Sequence, residues 1–210
     1  MTTHFQASLL DAAPSTGSAL GPLSGLRRTQ LTRGAWVDHL PGWVNGSDEV
    51  FERLVETVPW YAEKRQMYDR LVDVPRLLSW YSAVDTLPHL ILEQARAALN
   101  AHYLPELGEP FTTAGLCYYR DGRDSVAWHG DTIGRSRHLD TMVAIVSFGT
   151  ARRLLLRPRL GGESRGFSLG HGDLLVMGGS CQRTWEHAIP KTTLDVGPRV
   201  SVQFRPRDVR

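Results

Sequence analysis

The chain of 210 residues has only two cysteines, Cys117 and Cys181. That is too few for a disulfide framework, and neither stands in a Cys-x-x-Cys metal pattern, so both read as buried thiols. No apolar run approaches the roughly 20 residues needed to cross a membrane. The opening Met1-Thr2-Thr3-His4-Phe5-Gln6 lacks the charged and apolar regions of a secretory signal, and the expectation is a cytoplasmic, reducing setting with no membrane partner. Internal repeats and linkers are also missing, which argues against a second domain. The net charge is only +2, yet arginines crowd Arg120, Arg123, Arg135, Arg137, Arg152, Arg153, Arg157, Arg159 and Arg165. A face built from these would attract phosphates.

Residues 1–30 are rich in Gly, Ser, Thr, Pro and Ala with little periodicity, and are expected to be irregular. Residues 31–210 are expected to form one domain. Ser47 to Val58 has an N-cap candidate in Ser47 and apolar residues at 50, 51, 54, 55 and 58, which is helical spacing ended by Pro59. A second helix opens after Leu87-Pro88 and runs through Leu90, Ile91, Ala95, Ala98 and Leu99 to Tyr103, with Pro105 expected beyond its end.

From Thr112 the pattern turns to short strands at 115–119, 125–128, 142–148, 154–156, 167–169, 173–177 and 200–204, divided by turn residues. Helices first and antiparallel strands afterwards predict an α+β, mainly β fold. Its architecture would be a double-stranded β-helix, or jelly roll, over about 111–206, with helices bracing one sheet.

The chemistry is carried by Trp128-His129-Gly130-Asp131, by Trp185-Glu186-His187, and by Arg199 and Arg205 on one strand. Two imidazoles and a carboxylate bind one face of octahedral Fe(II) and leave three positions for a chelating co-substrate and dioxygen. A nearby arginine suits a carboxylate of that co-substrate. Taken singly, His129 and Asp131 fit a surface turn and His187 a core histidine. Arg199 and Arg205, six apart, share one strand face. Alternation alone leaves open whether that face or the one carrying Val200, Val202 and Phe204 is buried.

These residues resemble the AlkB family of Fe(II)/2-oxoglutarate dioxygenases, most nearly its homologues that repair alkylated nucleic acid. The similarity spans roughly residues 55–206. It rests on Val58-Pro59-Trp60, Pro75-Arg76-Leu77 with Trp80-Tyr81, Tyr119 through Asp131, Ser147-Phe148-Gly149, Gly172 through Met177, Trp185-Glu186-His187 and Pro198 through Arg205. The resemblance implies that His129, Asp131 and His187 bind Fe(II) and that Tyr119, Arg199 and Arg205 hold 2-oxoglutarate. It also places Arg157 and Tyr81 against the substrate, although an aromatic core position for Tyr81 and a surface position for Arg157 remain open. The implied reaction is oxidative demethylation of N-alkylated bases in DNA or RNA, single-stranded or with the base flipped out, by a monomer that releases succinate, CO2 and formaldehyde. An oxygenase acting on another substrate is the alternative. Departures from the family pattern fall at Cys117, where an Asn is usual, at Ser201 and Gln203, and at Thr132-Ile133-Gly134-Arg135, where acidic residues are usual.

Overall fold

Apolar alternation through the second half of the chain becomes, in the computed structural model, two facing antiparallel sheets. The structure describes residues 17–67, 70–131, 138–207 and 209. Its strands are β1 (Ala19–Leu20), β2 (Arg27–Gln30), β3 (Ala35–Leu40), β4 (Val44–Asn45), β5 (Tyr61–Met67), β6 (Arg70–Tyr81), β7 (Phe111–Tyr119), β8 (Val126–His129), β9 (Val143–Gly149), β10 (Arg152–Pro158), β11 (Arg165–Leu169), β12 (Asp173–Gly179), β13 (Trp185–Ile189) and β14 (Arg199–Pro206). Its helices are α1 (Ser47–Thr57), α2 (Leu90–Leu107) and the single turn α3 (Cys181–Thr184).

The larger sheet has the order β2-β3-β12-β9-β14-β7-β6-β5 and the smaller β11-β10-β13-β8, with β1 and β4 pairing apart. The two sheets enclose Val37, Val143, Ile145, Leu154, Leu156, Leu175, Met177 and Trp185. The outer face of the larger sheet is covered by the helices through Val50, Leu54, Ile91, Leu92, Leu99 and Tyr103. Each aliphatic side chain buried there contributes about 1.5–3 kcal/mol. This is the jelly roll that the strand spacing predicted.

That double covering settles the question left open by alternation in β14. Val200, Val202 and Phe204 pack under the helices, yet Arg199 on the opposite face is also buried, at 1% exposed. Both faces of this strand are interior, so the arginines point between the sheets.

Three expectations are corrected. The entry segment is not irregular throughout: β2 pairs with β3, and Arg28 stacks 3.6 Å above Trp36 while bonding Asp38 and Glu106. With four polar, exposed residues, β2 gives no hydropathy signal; residues 1–16 lie outside the described residues. Ser47 does not cap α1, because it is the helix's first residue and its hydroxyl donates to the Val44 carbonyl. Gly46 precedes it in the left-handed region at φ 65°, with the Ser18 backbone tight, at 3.1 Å, against where a β-carbon would lie. Finally, Pro105 lies inside α2. It costs one hydrogen bond in the last turn, after which Gly108 closes the helix by donating to the Leu104 carbonyl.

Candidate metal centre and co-substrate pocket

β8 and β13 pair directly opposite each other at His129 and His187. The register shifts beyond them, between His187 and Ile189, so Val126 and His129 both meet inward-facing partners although they are three residues apart. The chain then turns at Gly130, where a β-carbon would lie 2.6 Å from the Gln182 carbonyl and from Arg159, and delivers Asp131 beside the two histidines. One ligand atom from each of His129, Asp131 and His187 falls within 4.8 Å of the other two. The histidine ring centroids are 4.2 Å apart, and His129 Nε2 stands 3.3 Å from Asp131 Oδ1.

Each ligand is held by a neighbour that fixes its chemical form. His129 Nδ1 lies 2.9 Å from the Ala127 carbonyl, so Nδ1–H donates there and Nε2 is left as the free lone pair. His187 is buried beside His129, and burial foremost depresses it to about 3, which keeps it neutral at physiological pH. Asp131 is 3% exposed. Burial alone would raise its pKa, but Arg205 and the histidines outweigh that and hold the carboxyl well below the usual carboxylate range. Arg205 Nε donates to Asp131 Oδ2 at 2.7 Å, and the Asp131 N–H donates to Gln182 Oε1 at 3.0 Å. Two imidazoles and a fixed carboxylate suit Fe(II).

Behind this triad lies a cavity lined by Arg76, Cys117, Tyr119, Arg199, Ser201, Gln203 and Arg205 together with the two histidines. Arg199 is anchored by Nε donating to Ser147 Oγ at 2.9 Å and by a side-chain contact with Tyr119, whose ring lies 5.2 Å from the guanidinium. Its Nη1 is buried with no hydrogen-bond partner among the described residues. A buried guanidinium left half-satisfied is costly, and a carboxylate entering the cavity removes that cost. Burial, with Cys117 second, pushes the Tyr119 phenol up to about 12. It stays a hydrogen-bond donor, which is what a carboxylate needs. The donor set therefore fits a dicarboxylate that also reaches a metal.

The predicted site residues divide clearly. His129, Asp131 and His187 meet at one point, and Tyr119, Arg199 and Arg205 line the adjoining cavity. Arg157 is a correction: Leu156, opposite His187, holds the inward position, so Arg157 lies on the outer face of the smaller sheet, 4.3 Å over the Trp128 ring and paired to Glu186 at 2.8 Å. Tyr81 is another. It pairs with Ala114, which faces the helices, and it packs on that side of the sheet, away from the cavity. Trp80, opposite Gly115, has the inward position instead. Cys181 is buried, but Cys117 lines the cavity and is only half-buried. Residues 132–137, with the Ile133 departure, lie outside the described residues.

Sequence reading missed Gln182, Ser147, Arg152 and Arg76. Gln182, with no motif of its own, is a short link to Asp131, and Ser147, which stands in the Ser147-Phe148-Gly149 motif without a role assigned there, is a short link to Arg199. Arg152 is 5% exposed, lies 5.8 Å from the Tyr119 ring, and donates to the carbonyls of Asp121, Asp124 and Pro190. It ties the turn after β7 to the smaller sheet.

Fold and site together define a jelly-roll oxygenase with a centre of two histidines and one carboxylate. The family model of the 2OG-Fe(II) oxygenase superfamily matches residues 81–205. The bovine alpha-ketoglutarate-dependent dioxygenase alkB homolog 3 is 31% identical over 191 residues, covering 79% of this chain and 64% of that protein. The human DNA oxidative demethylase ALKBH2 is 26% identical over 181 residues, covering 76% and 68%. The solved structure of OsALKBH1 shares the fold, with a TM-score of 0.60 at 14% identity, over 86% of this chain and 100% of that one. The chain belongs to the 2OG-Fe(II) oxygenase superfamily, in its AlkB family.

Proposed function

We propose that the protein oxidatively dealkylates N-alkylated bases in DNA or RNA, using Fe(II), dioxygen and 2-oxoglutarate. His129 Nε2, an Asp131 oxygen and His187 hold the metal. Arg199 takes the distal carboxylate of 2-oxoglutarate through its unpartnered Nη1, Tyr119 donates to the co-substrate, and Arg205 serves the metal end while orienting Asp131. The observation that carries this reading is the buried, half-satisfied Arg199 opening on the same cavity as the triad.

Bound together, Fe(II) and 2-oxoglutarate supply an oxidant that hydroxylates a C–H bond, with the co-substrate ending as succinate and CO2. The rest of the task is placement. The triad sits between two sheets, so a base must leave its stack to bring an N-alkyl carbon there. Once that carbon is hydroxylated, the C–N bond breaks without help from a protein nucleophile and formaldehyde leaves. Arg159, which approaches Gly130 beside the triad, and Arg157, on the outer face of the smaller sheet, are candidates for phosphate contact, and the demethylase named among the relatives supports a nucleic-acid substrate.

The test is mass spectrometry of short single-stranded oligonucleotides, each with one N-methylated base, incubated with Fe(II), ascorbate and 2-oxoglutarate. Loss of one methylene unit is expected, and His187→Ala abolishes it together with succinate formation. Succinate formed with no change in any oligonucleotide would move the substrate outside nucleic acid. Turnover persisting in His187→Ala would remove the metal assignment.

A further inference from the structure

We propose that Cys117 is a covalent modification site for α,β-unsaturated dicarboxylates, which the arginines of the co-substrate cavity draw in and to whose alkene the thiol adds; the inference rests on the co-substrate assignment made above.

Pairing with β14 puts Tyr119 opposite Arg199 and Cys117 opposite Ser201, and all four line the cavity. The thiol is half-buried and donates to Gln203 Oε1 at 3.6 Å. On the neighbouring strand β6, Leu78 pairs with Cys117, so Arg76, two residues earlier, lies on the same inward face. Its side chain contacts the thiol, its Nη1 donates to the Ser125 carbonyl at 3.1 Å, and its Nε is buried with no hydrogen-bond partner among the described residues. Arg199, 1% exposed, is near enough to feel charge on Cys117 and brings a second such group, its Nη1. Cys117 thus shares its cavity with two guanidinium groups that each have a buried nitrogen in want of an acceptor.

Two such donors suit two carboxylates. 2-Oxoglutarate has no alkene and passes the thiol unchanged. In an unsaturated dicarboxylate one alkene carbon is electrophilic, and the thiolate is the nucleophile. A sulfur lone pair forms the S–C bond, the alkene π pair moves to the other carbon, and that carbon takes up the proton that the thiol gave up. The product is a thioether with both carboxylates retained; nothing is oxidised or reduced, and nothing leaves. In water the two negative charges of the acceptor repel a thiolate and damp the alkene. Guanidinium groups bonded to the carboxylates offset both effects. The thioether then occupies the space of 2-oxoglutarate. Cys181 is the comparison within the same chain: it is 1% exposed, does not line the cavity, and burial foremost pushes its thiol up to about 12.

The full chain, loaded with Co(II) so that no turnover interferes, is incubated with fumarate or with its neutral diamide, and modified peptides are followed over time by mass spectrometry. Cys117 is expected to gain the mass of one fumarate while Cys181 gains none. With each rate scaled to that of glutathione, fumarate should exceed the diamide about tenfold or more, the effect of one poorly screened ion pair. Arg199→Met and Arg76→Gln should each remove that preference without slowing the diamide, Arg76→Lys, which keeps the charge, should keep it, and Cys117→Ser should take no label at that position. Added 2-oxoglutarate should slow labelling by fumarate, and the labelled protein should lose the rise in Tm that 2-oxoglutarate gives the unlabelled one. Absence of label on Cys117 overturns the inference. So does equal labelling of the two cysteines, a preference for fumarate that survives both charge-removing variants, or labelling that 2-oxoglutarate does not slow. The dealkylase reading is decided separately, by the oligonucleotide assay on unlabelled protein, and can stand or fall whichever way the labelling goes.

Discussion

Arg205 reaches Asp131 across the place where a side chain on Gly115 would stand. Its Nε donates to Asp131 Oδ2 at 2.7 Å, and its Nη1 would be 2.8 Å from a β-carbon at position 115. The neighbouring strand β7 thus contributes an absence: Gly115 leaves the guanidinium room that a β-carbon, itself 3.4 Å from Gln203 and Trp80, would take. A residue that holds a metal ligand in place matters for affinity nearly as much as the ligand does.

Gly115→Ala is therefore expected to push Arg205 off Asp131 and weaken divalent metal binding about 10–100-fold, the range usual for lost ligand-supporting contacts. Arg205→Ala should fall in the same range, and the double variant should be no worse than either single one. Calorimetric titration with Co(II) checks this. Full affinity in Gly115→Ala would show that Arg205 has another path to the carboxylate.

Arg199→Met should separate stability from function. Without ligand, removing a buried and half-satisfied guanidinium is expected to leave stability within about 1 kcal/mol of the parent or to raise it. The increase in Tm that 2-oxoglutarate gives the parent should vanish, and the 2-oxoglutarate requirement should rise sharply. Thermal unfolding with and without co-substrate measures both. A large loss of stability without ligand would mean that the Ser147 and Tyr119 contacts already satisfy the arginine.

His187 makes the metal-free protein sensitive to acid. Unfolded, the imidazole takes a proton below about pH 6.5; folded, it does so only near pH 3. Over that window the unfolded state binds more protons, so stability falls as pH falls, by up to about 1.4 kcal/mol per pH unit from this group. Chemical denaturation of the metal-free protein and of His187→Leu from pH 7 to pH 4 is expected to give curves that diverge, the parent losing more. Parallel curves would show that His187 is protonated in the folded state.

The metal centre was legible in the sequence because its chemistry demands particular residue types, and His129, Asp131 and His187 have few substitutes in that order. The sheet containing Arg199 was legible by alternation, but its double covering was not, since Val200, Val202 and Phe204 suit either outcome. Tyr81 was misplaced for a related reason. One residue of register separates it from Trp80, and only the pairing of β6 with β7 says which of the two faces the cavity. β6 itself was hidden by Pro75, which ordinarily argues against a strand. It is tolerated because the β5–β6 register shifts there, between the pairs Lys64–Asp73 and Ala62–Leu77, and no ladder N–H is needed. Gln182 left no trace, and Ser147 no sign of its role, because a single amide or hydroxyl becomes informative only when its partner is known.

β14, which follows every other described strand in sequence, lies in the middle of the larger sheet, between β9 and β7. A nascent chain that has not yet delivered it has a gap between two strands whose exposed edges are ready to pair with other molecules. The same strand brings Arg199 and Arg205. Closing the seam during synthesis and acquiring the charges that hold a ligand are then one late event, and the long-range pairing that it requires is the slow kind. Until that event the chain is at its most prone to aggregate.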